Sequence, residues 1–139
     1  MPDDELWTVV ATQNAGTLAT IKKDGRPQLS DINYTAEVGL IRISTRAPLA
    51  KTHNLRRDPR ASLRVTAPHG GYAVVEATAE LTPVAADRND AVVEELIEVY
   101  RLAAGKEHPD WDDYRRAMVA DERLVLRLHV ERLYGWVMG

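Results

Sequence analysis

Residues 17–35 read TLATIKKDGRPQLSDINYT, and the Asp24-Gly25 pair in their middle decides the fold. An Asp-Gly step between two runs rich in β-branched and apolar residues is a strong short-range signal for a β-hairpin, so 17–22 and 28–35 are predicted to pair antiparallel. Working outward, Gly39 opens a third predicted strand over 40–45. Pro48 suits the first turn of a short helix, and Pro59 stops that helix near Arg57 or Asp58. A fourth strand, 61–66, leads into the turn cluster Pro68-His69-Gly70-Gly71, and a fifth, 72–81, ends before Pro83.

Beyond Pro83 the apolar period lengthens from two to about 3.6. Val92, Val93, Leu96, Ile97, Tyr100, Ala103 and Ala104 form one helical stripe, which Gly105 ends. Asp110, three residues before Asp113, reads as the N-cap of a second helix running to about Asp121. Residues 123–129 and 131–136 return to strand-like alternation. At the other end, Asp3 or Asp4 is placed to cap a first helix reaching about Asn14, with Gly16 to terminate it. The fold class is therefore mainly β with helices. An antiparallel barrel of six or seven strands is expected, with an N-terminal helix, a short helix after the third strand and two helices before the last strands. Closure into a barrel removes exposed sheet edges.

The chain has 139 residues, which fits one domain with its own core. It contains no cysteine, so disulfides, thiolate metal sites and a cysteine nucleophile are excluded. The acidic start MPDDELW is unlike a signal peptide, and no apolar run approaches the ~20 residues that span a bilayer. A cytoplasmic protein without membrane contact is the expectation. A formal net charge of -3 argues against a general nucleic-acid binder. No Ser-His-Asp set, phosphate-binding glycine loop, HExxH or dinucleotide fingerprint is present.

Against that acidic background, residues 46–65 carry six cations, Arg46, Lys51, Arg56, Arg57, Arg60 and Arg64, and one acid, Asp58. A basic run is ordinarily a solvated helix face. Here it follows a strand and enters a helix, where free backbone N–H groups favour an anion. No aromatic residue interrupts the run to stack bases, which disfavours single-stranded nucleic acid.

The order of KKDGRPQLS (22–30), IRIST (41–45), AKTHNLRRDPRAS (50–62), GYAVVEATAEL (71–81) and HPDWDDYRRAM (108–118) resembles the pyridoxamine 5′-phosphate oxidase-like split β-barrel superfamily. The resemblance is to its actinobacterial branch that uses coenzyme F-420, an 8-hydroxy-5-deazaflavin. It implies a split barrel and a homodimer with two coenzyme sites at the subunit interface. It also implies an oxidoreductase that passes hydride from reduced coenzyme to an unsaturated small molecule. Pro27, Gln28, Leu29 and Ser30 would lie beside the deazaflavin ring. Ser44, Thr45, Arg46, Lys51 and Thr52 would hold the ribityl chain and phosphate. Asn54 belongs to the same motif, and Arg56, Arg57 and Arg60 would meet the oligoglutamate tail. Members often carry an Arg just before the Ala-Lys pair; here that position is Leu49, and Arg46 is the candidate replacement.

Other readings stand beside this one. An FMN-dependent enzyme on the same fold is the first alternative, and a non-catalytic protein that binds or stores the deazaflavin is the second. Arg127-Leu128-His129 echoes the Arg-x-His substrate signature of true pyridoxine 5′-phosphate oxidases, but it lies inside the last strand, where alternation explains it. His108, Asp110, Asp112 and Asp113 resemble a metal cluster, yet capping accounts for Asp110 and the dipole for the other acids. Trp111, Tyr114 and Met118 at helical spacing read as packing residues. Gln28 and Ser30 share a strand face with Ile32 and Tyr34, so partial burial alone also explains them. Trp136 is compatible with a place over a partner's coenzyme or at the barrel rim.

Overall fold

The Asp24-Gly25 hairpin forms in the computed structural model, which describes the backbone of residues 2–138 and the side chains of residues 4–138. Gly25 adopts φ +89°, a conformation that a residue with Cβ resists, and Arg26 N–H donates to the Asp24 carboxylate at 3.0 Å. The turn joins β1 (Ala15–Ile21) to β2 (Pro27–Asn33). After them come β3 (Thr35–Glu37), β4 (Leu40–Arg46), α2 (Ala50–Arg57), β5 (Arg60–Thr66) and β6 (Gly71–Leu81). The chain continues through α3 (Ala91–Ala104) and α4 (Trp111–Ala120) to β7 (Arg123–Val137), and α1 (Pro2–Thr12) precedes them all.

The seven strands form one antiparallel sheet in the order β2-β1-β5-β6-β7-β4-β3. Its two edges, β2 and β3, are consecutive in the chain with only Tyr34 between them, so the sheet must curl until its edges meet. The result is a split barrel. Tyr34 is buried in the seam and donates its hydroxyl to the Val10 carbonyl at 2.6 Å, in the last turn of α1 where helix carbonyls lack intrahelical partners. Burial pushes its phenol well above the ordinary pKa. Leu6, Val9 and Val10 of α1 plug the barrel against Leu18, Ile41, Leu63, Val75 and Leu126.

A second core lies outside the barrel. Val93, Leu96 and Ile97 of α3 meet Tyr114 and Met118 of α4 and Val125 of β7. β7 therefore serves both cores, Leu124, Leu126 and Leu128 facing the barrel while Val125 faces the helices, as period two requires. Charge pins α3 down as well. Arg42, almost fully buried, pairs with Glu37 and Glu98 at 2.9 Å each, and Arg127 pairs with Glu95 and Glu80. His129 contacts Glu80 at 2.8 Å, so the Arg-x-His echo is the outward face of a strand, held by acids of α3 and β6.

Several boundaries differ from those expected. α1 begins at Pro2, so Asp4 stands inside its first turn and not ahead of it, and the Asp3 side chain lies outside the described ones. Proline lacks an N–H that the first turn could not pair, and acids there suit the dipole. Gly16 does not end the helix; it sits in β1, where a Cβ would meet the Arg64 carbonyl oxygen at 2.6 Å, so its smallness allows β5 to approach. Pro48 precedes the N-cap, Leu49, instead of entering the first turn of α2. The two last predicted strands are one, and their apparent break at Val130 is a β-bulge: Glu76 pairs with Arg132 and Ala77 with Val130, leaving Glu131 over. Asp110 does cap α4, accepting from Asp113 N–H at 3.1 Å. No helix of the described residues is long and apolar enough to cross a membrane.

Tyr34→Phe tests the seam. It keeps the ring and removes the donor to Val10, so urea denaturation should report a loss of about 1–2 kcal/mol, with an unchanged far-UV spectrum.

Candidate functional site

The turn from β4 into α2 is closed by its own hydroxyls. Thr52 donates to the Arg46 carbonyl at 2.7 Å, and its oxygen lies 3.4 Å from that of Thr45; both side chains are buried. This fixes the first turn of α2, from which Lys51 projects into a cavity of about 560 Å³ at the split of the barrel. The cavity runs between the end of β2, at Asp31 and Asn33, and Ser44 on β4. Tyr100 of α3 and Met118 of α4 wall its far side, and Arg123 at the start of β7 completes its cationic end.

Lys51 is half-buried, and its amine is held below the ordinary lysine value of 10.5 first by that burial and then by the positive charge of Arg123. Arg123 Nη1 lies 3.4 Å from Ser44 Oγ, whereas its Nε is shut off from solvent and meets no acceptor among the described residues. Neither cation forms an ion pair with a carboxylate among the described residues. Asp31, the acid nearest the mouth, is exposed and accepts from Thr17 Oγ1 at 3.2 Å. Tyr114, whose phenol burial pushes up to about 12, donates to the Leu96 carbonyl at 3.0 Å and so stiffens the helical wall.

The residues expected to bind a coenzyme fall into four places. Ser44 and Lys51 share the cavity just described. Pro27 and Arg60 line a different one, about 580 Å³, on the outer face of β1, β5, β6 and β7. Gln28 and Ser30 are half-buried on the side of β2 that carries Ile32, while Leu29 points outward and is 65% exposed. The fourth group is engaged within the chain. Asn54 is buried and donates to Thr20 Oγ1 at 3.1 Å, and Arg57 donates to the Ile21 carbonyl at 2.9 Å and to Asn54 Oδ1 at 3.0 Å. Together they clasp α2 to β1. Arg60 holds Asp58 through two side-chain bonds of 3.0 and 2.8 Å, which bring the Asp58 carboxyl down to about 2. Arg46 Nε donates to the Asp121 carbonyl at 3.3 Å, and Arg56 is exposed.

Arg123 escaped the sequence reading. It is 79 residues from Ser44, and the pairing of β4 with β7 that unites them is not a local property of either segment. Trp111, Tyr114 and Met118 pack as expected, Tyr114 in edge-on contact with Trp111 and Tyr100. Asp110 is committed to its cap and His108 Nδ1 accepts from Asp110 N–H at 2.9 Å. The described residues contain no group of three or more His, Asp or Glu side chains placed to hold a metal ion. Trp136 stands half-exposed near the end of β7, opposite Tyr72.

A seven-stranded split barrel with a cationic cavity at its seam defines a class of small-ligand-binding domains, and comparison gives the family. Residues 2–137 match the model of the pyridoxamine 5′-phosphate oxidase family, and the chain belongs to it. It is similar to a conserved hypothetical protein of Mycobacterium tuberculosis, with 27% identity and a TM-score of 0.76 over 98% of this chain and 84% of that one. An F-420 reductase shares the fold at 19% identity and a TM-score of 0.67, over 91% of this chain and 94% of that one. An FAD-binding protein from Mesorhizobium loti does so at 20% and 0.68, over 97% and 92%.

Two outcomes follow from the geometry. Asn54→Ala strips Thr20 and Arg57 of a buried partner and should cost about 1–3 kcal/mol in chemical denaturation. For Lys51, a depressed folded pKa means that the unfolded chain binds more protons between that value and 10.5, so its contribution to stability rises with pH across the interval. Side-chain NMR of labelled lysine should find Lys51 titrating below 10.5, and moving up in Arg123→Gln.

Proposed function

We propose that the chain is an oxidoreductase that binds coenzyme F-420 and transfers hydride from the reduced coenzyme to an unsaturated small molecule. It acts as a cytoplasmic homodimer with coenzyme sites at the subunit interface. The observation that carries this reading is Lys51, a cation without a carboxylate partner, standing with Ser44 in the cavity at the barrel split, within the ordered motif that suggested a phosphate grip. A phosphate would supply the counter-charge that the protein withholds. Family membership supports a flavin-type ligand, and the F-420 reductase among the similar structures supports the deazaflavin.

The chain's own residues have distinct tasks in this reading. Lys51 and Ser44 bind the phosphate. Thr45 and Thr52 hold the turn that presents Lys51, and the Asn54–Arg57 clasp keeps α2 seated on β1. Pro27, Gln28, Leu29 and Ser30 belong to an edge strand, so part of their backbone is unpaired within the sheet and available to the ring. The exposed Leu29 offers it apolar contact. Arg56, exposed on the outer surface, is open to an acidic tail, whereas Arg60 would meet it only by exchanging Asp58 for a carboxylate of the tail. When bound, the deazaflavin supplies two-electron hydride chemistry, and the protein supplies binding, orientation and exclusion of water. The FAD-binding protein among the similar structures favours one second reading, an FMN-dependent enzyme on the same scaffold.

Fluorescence titration with coenzyme F-420 and with FMN separates the two. Saturable binding of F-420 at low micromolar concentration is expected, and a response to FMN alone would reverse the order of the readings. Lys51→Ala should weaken F-420 binding roughly tenfold to a hundredfold, the equivalent of one charged hydrogen bond, without lowering the melting temperature.

A further inference from the structure

The helix-facing side of β4 and β7 carries two levels of arginine, and the protein treats them differently. At one level Arg42 and Arg127, paired across the ladder, are neutralised by Glu37, Glu80, Glu95 and Glu98. At the other, where Arg46 and Arg123 are paired, no carboxylate among the described residues meets Arg123, and its Nε has no acceptor among them. Leaving a buried donor unmade is costly, and placing it beside Lys51 adds like-charge repulsion. A fold that neutralises the arginines at one end of a strand pair and leaves Arg123 without a carboxylate partner at the other, the exposed Asp31 of the cavity lining being bonded to Thr17, leaves a place for an external anion.

We infer that Arg123 is the second cation of the phosphate grip, acting with Lys51 and Ser44 on one ligand group. The group's shape follows from the donors. Arg123, Lys51 and Ser44 line the cavity from β7, α2 and β4, three separate elements, and a tetrahedral oxyanion has enough oxygens to answer a donor from each. A carboxylate, planar and with two oxygens, matches them less well. The wall of Tyr100, Met118 and Val99 further fits a ligand whose phosphate is attached to an apolar or aromatic body. Arg123 thereby supplies the guanidinium that position 49, a leucine, lacks, and Arg46, bonded to the Asp121 carbonyl, does not line the cavity. The inference rests on the coenzyme reading only for the identity of the molecule that carries the phosphate.

The probes are phenyl phosphate, inorganic phosphate and benzoate, titrated calorimetrically into the whole chain at constant ionic strength. Phenyl phosphate should bind more tightly than inorganic phosphate, and benzoate least. Arg123→Gln should weaken phenyl phosphate at least tenfold, Arg123→Lys should recover part of the loss, and neither should change the affinity for an uncharged aromatic. Equal phenyl phosphate affinity in the wild type and Arg123→Gln would overturn the assignment, whatever Lys51→Ala does. If Arg123→Gln does not fold, the unaltered protein still decides: phenyl phosphate should protect Arg123 from phenylglyoxal, read by mass spectrometry, and absence of protection refutes the role. Failure of the coenzyme reading looks different, because phenyl phosphate would still depend on Arg123 while neither F-420 nor FMN bound.

Discussion

The closure at Tyr34 is the constraint on which the other features depend. Two strands that are adjacent in the chain lie at opposite ends of the sheet order, so no flat arrangement of the seven strands satisfies the connectivity. The sheet has to curl, and a curled sheet of this size needs its interior filled. α1 does this with Leu6, Val9 and Val10, and the Tyr34 hydroxyl ties the filling helix to the seam. Because the seam is held by one corner and not by a ladder between β2 and β3, it stays open along part of its length. The cavity occupies that opening.

The same curvature explains why β7 has two jobs. Up to the bulge at Glu131 its even-numbered residues close the barrel core, which turns its odd-numbered residues toward α3 and α4. The helices satisfy Val125 with apolar contact and Arg127 with carboxylates, but α3 and α4 approach the beginning of the strand with Tyr100, Tyr114 and Met118, which bring no negative charge. Arg123 is thus left electropositive by the placement of two helices that are themselves anchored elsewhere. Electrostatics at the site is a consequence of packing further along the same strand.

Local signals were legible in the sequence wherever a few neighbouring residues decide the outcome. The Asp24-Gly25 turn, the apolar stripe of α3, the Asp110 cap and the stop at Pro59 all depend on backbone preferences within a short window. The errors have a physical pattern too. Gly16 looked like a helix terminator because its constraint, the approach of the Arg64 carbonyl, comes from a strand nearly fifty residues away. The bulge at Glu131 looked like a strand break because register with β6 is invisible from β7 alone. Arg123 sits in an alternating strand that marks it as outward-facing, yet nothing local says what lies outside.

The basic run at residues 46–65 shows how far composition can stand in for a site. An α-helix advances about 100° per residue, so Lys51 and Arg56, five positions apart on α2, project about 140° apart and cannot serve one ligand group from the same helix face. The chain distributes the cations accordingly. Arg57 is drawn back to the Ile21 carbonyl, Arg60 to Asp58, Arg64 onto the Tyr72 ring at 4.9 Å, and Arg46 to the Asp121 carbonyl. Of the six, Lys51 alone lines the cavity at the seam. Clustering in sequence therefore raised the local charge without concentrating it, and the two cations that do converge come from segments that only the barrel brings together.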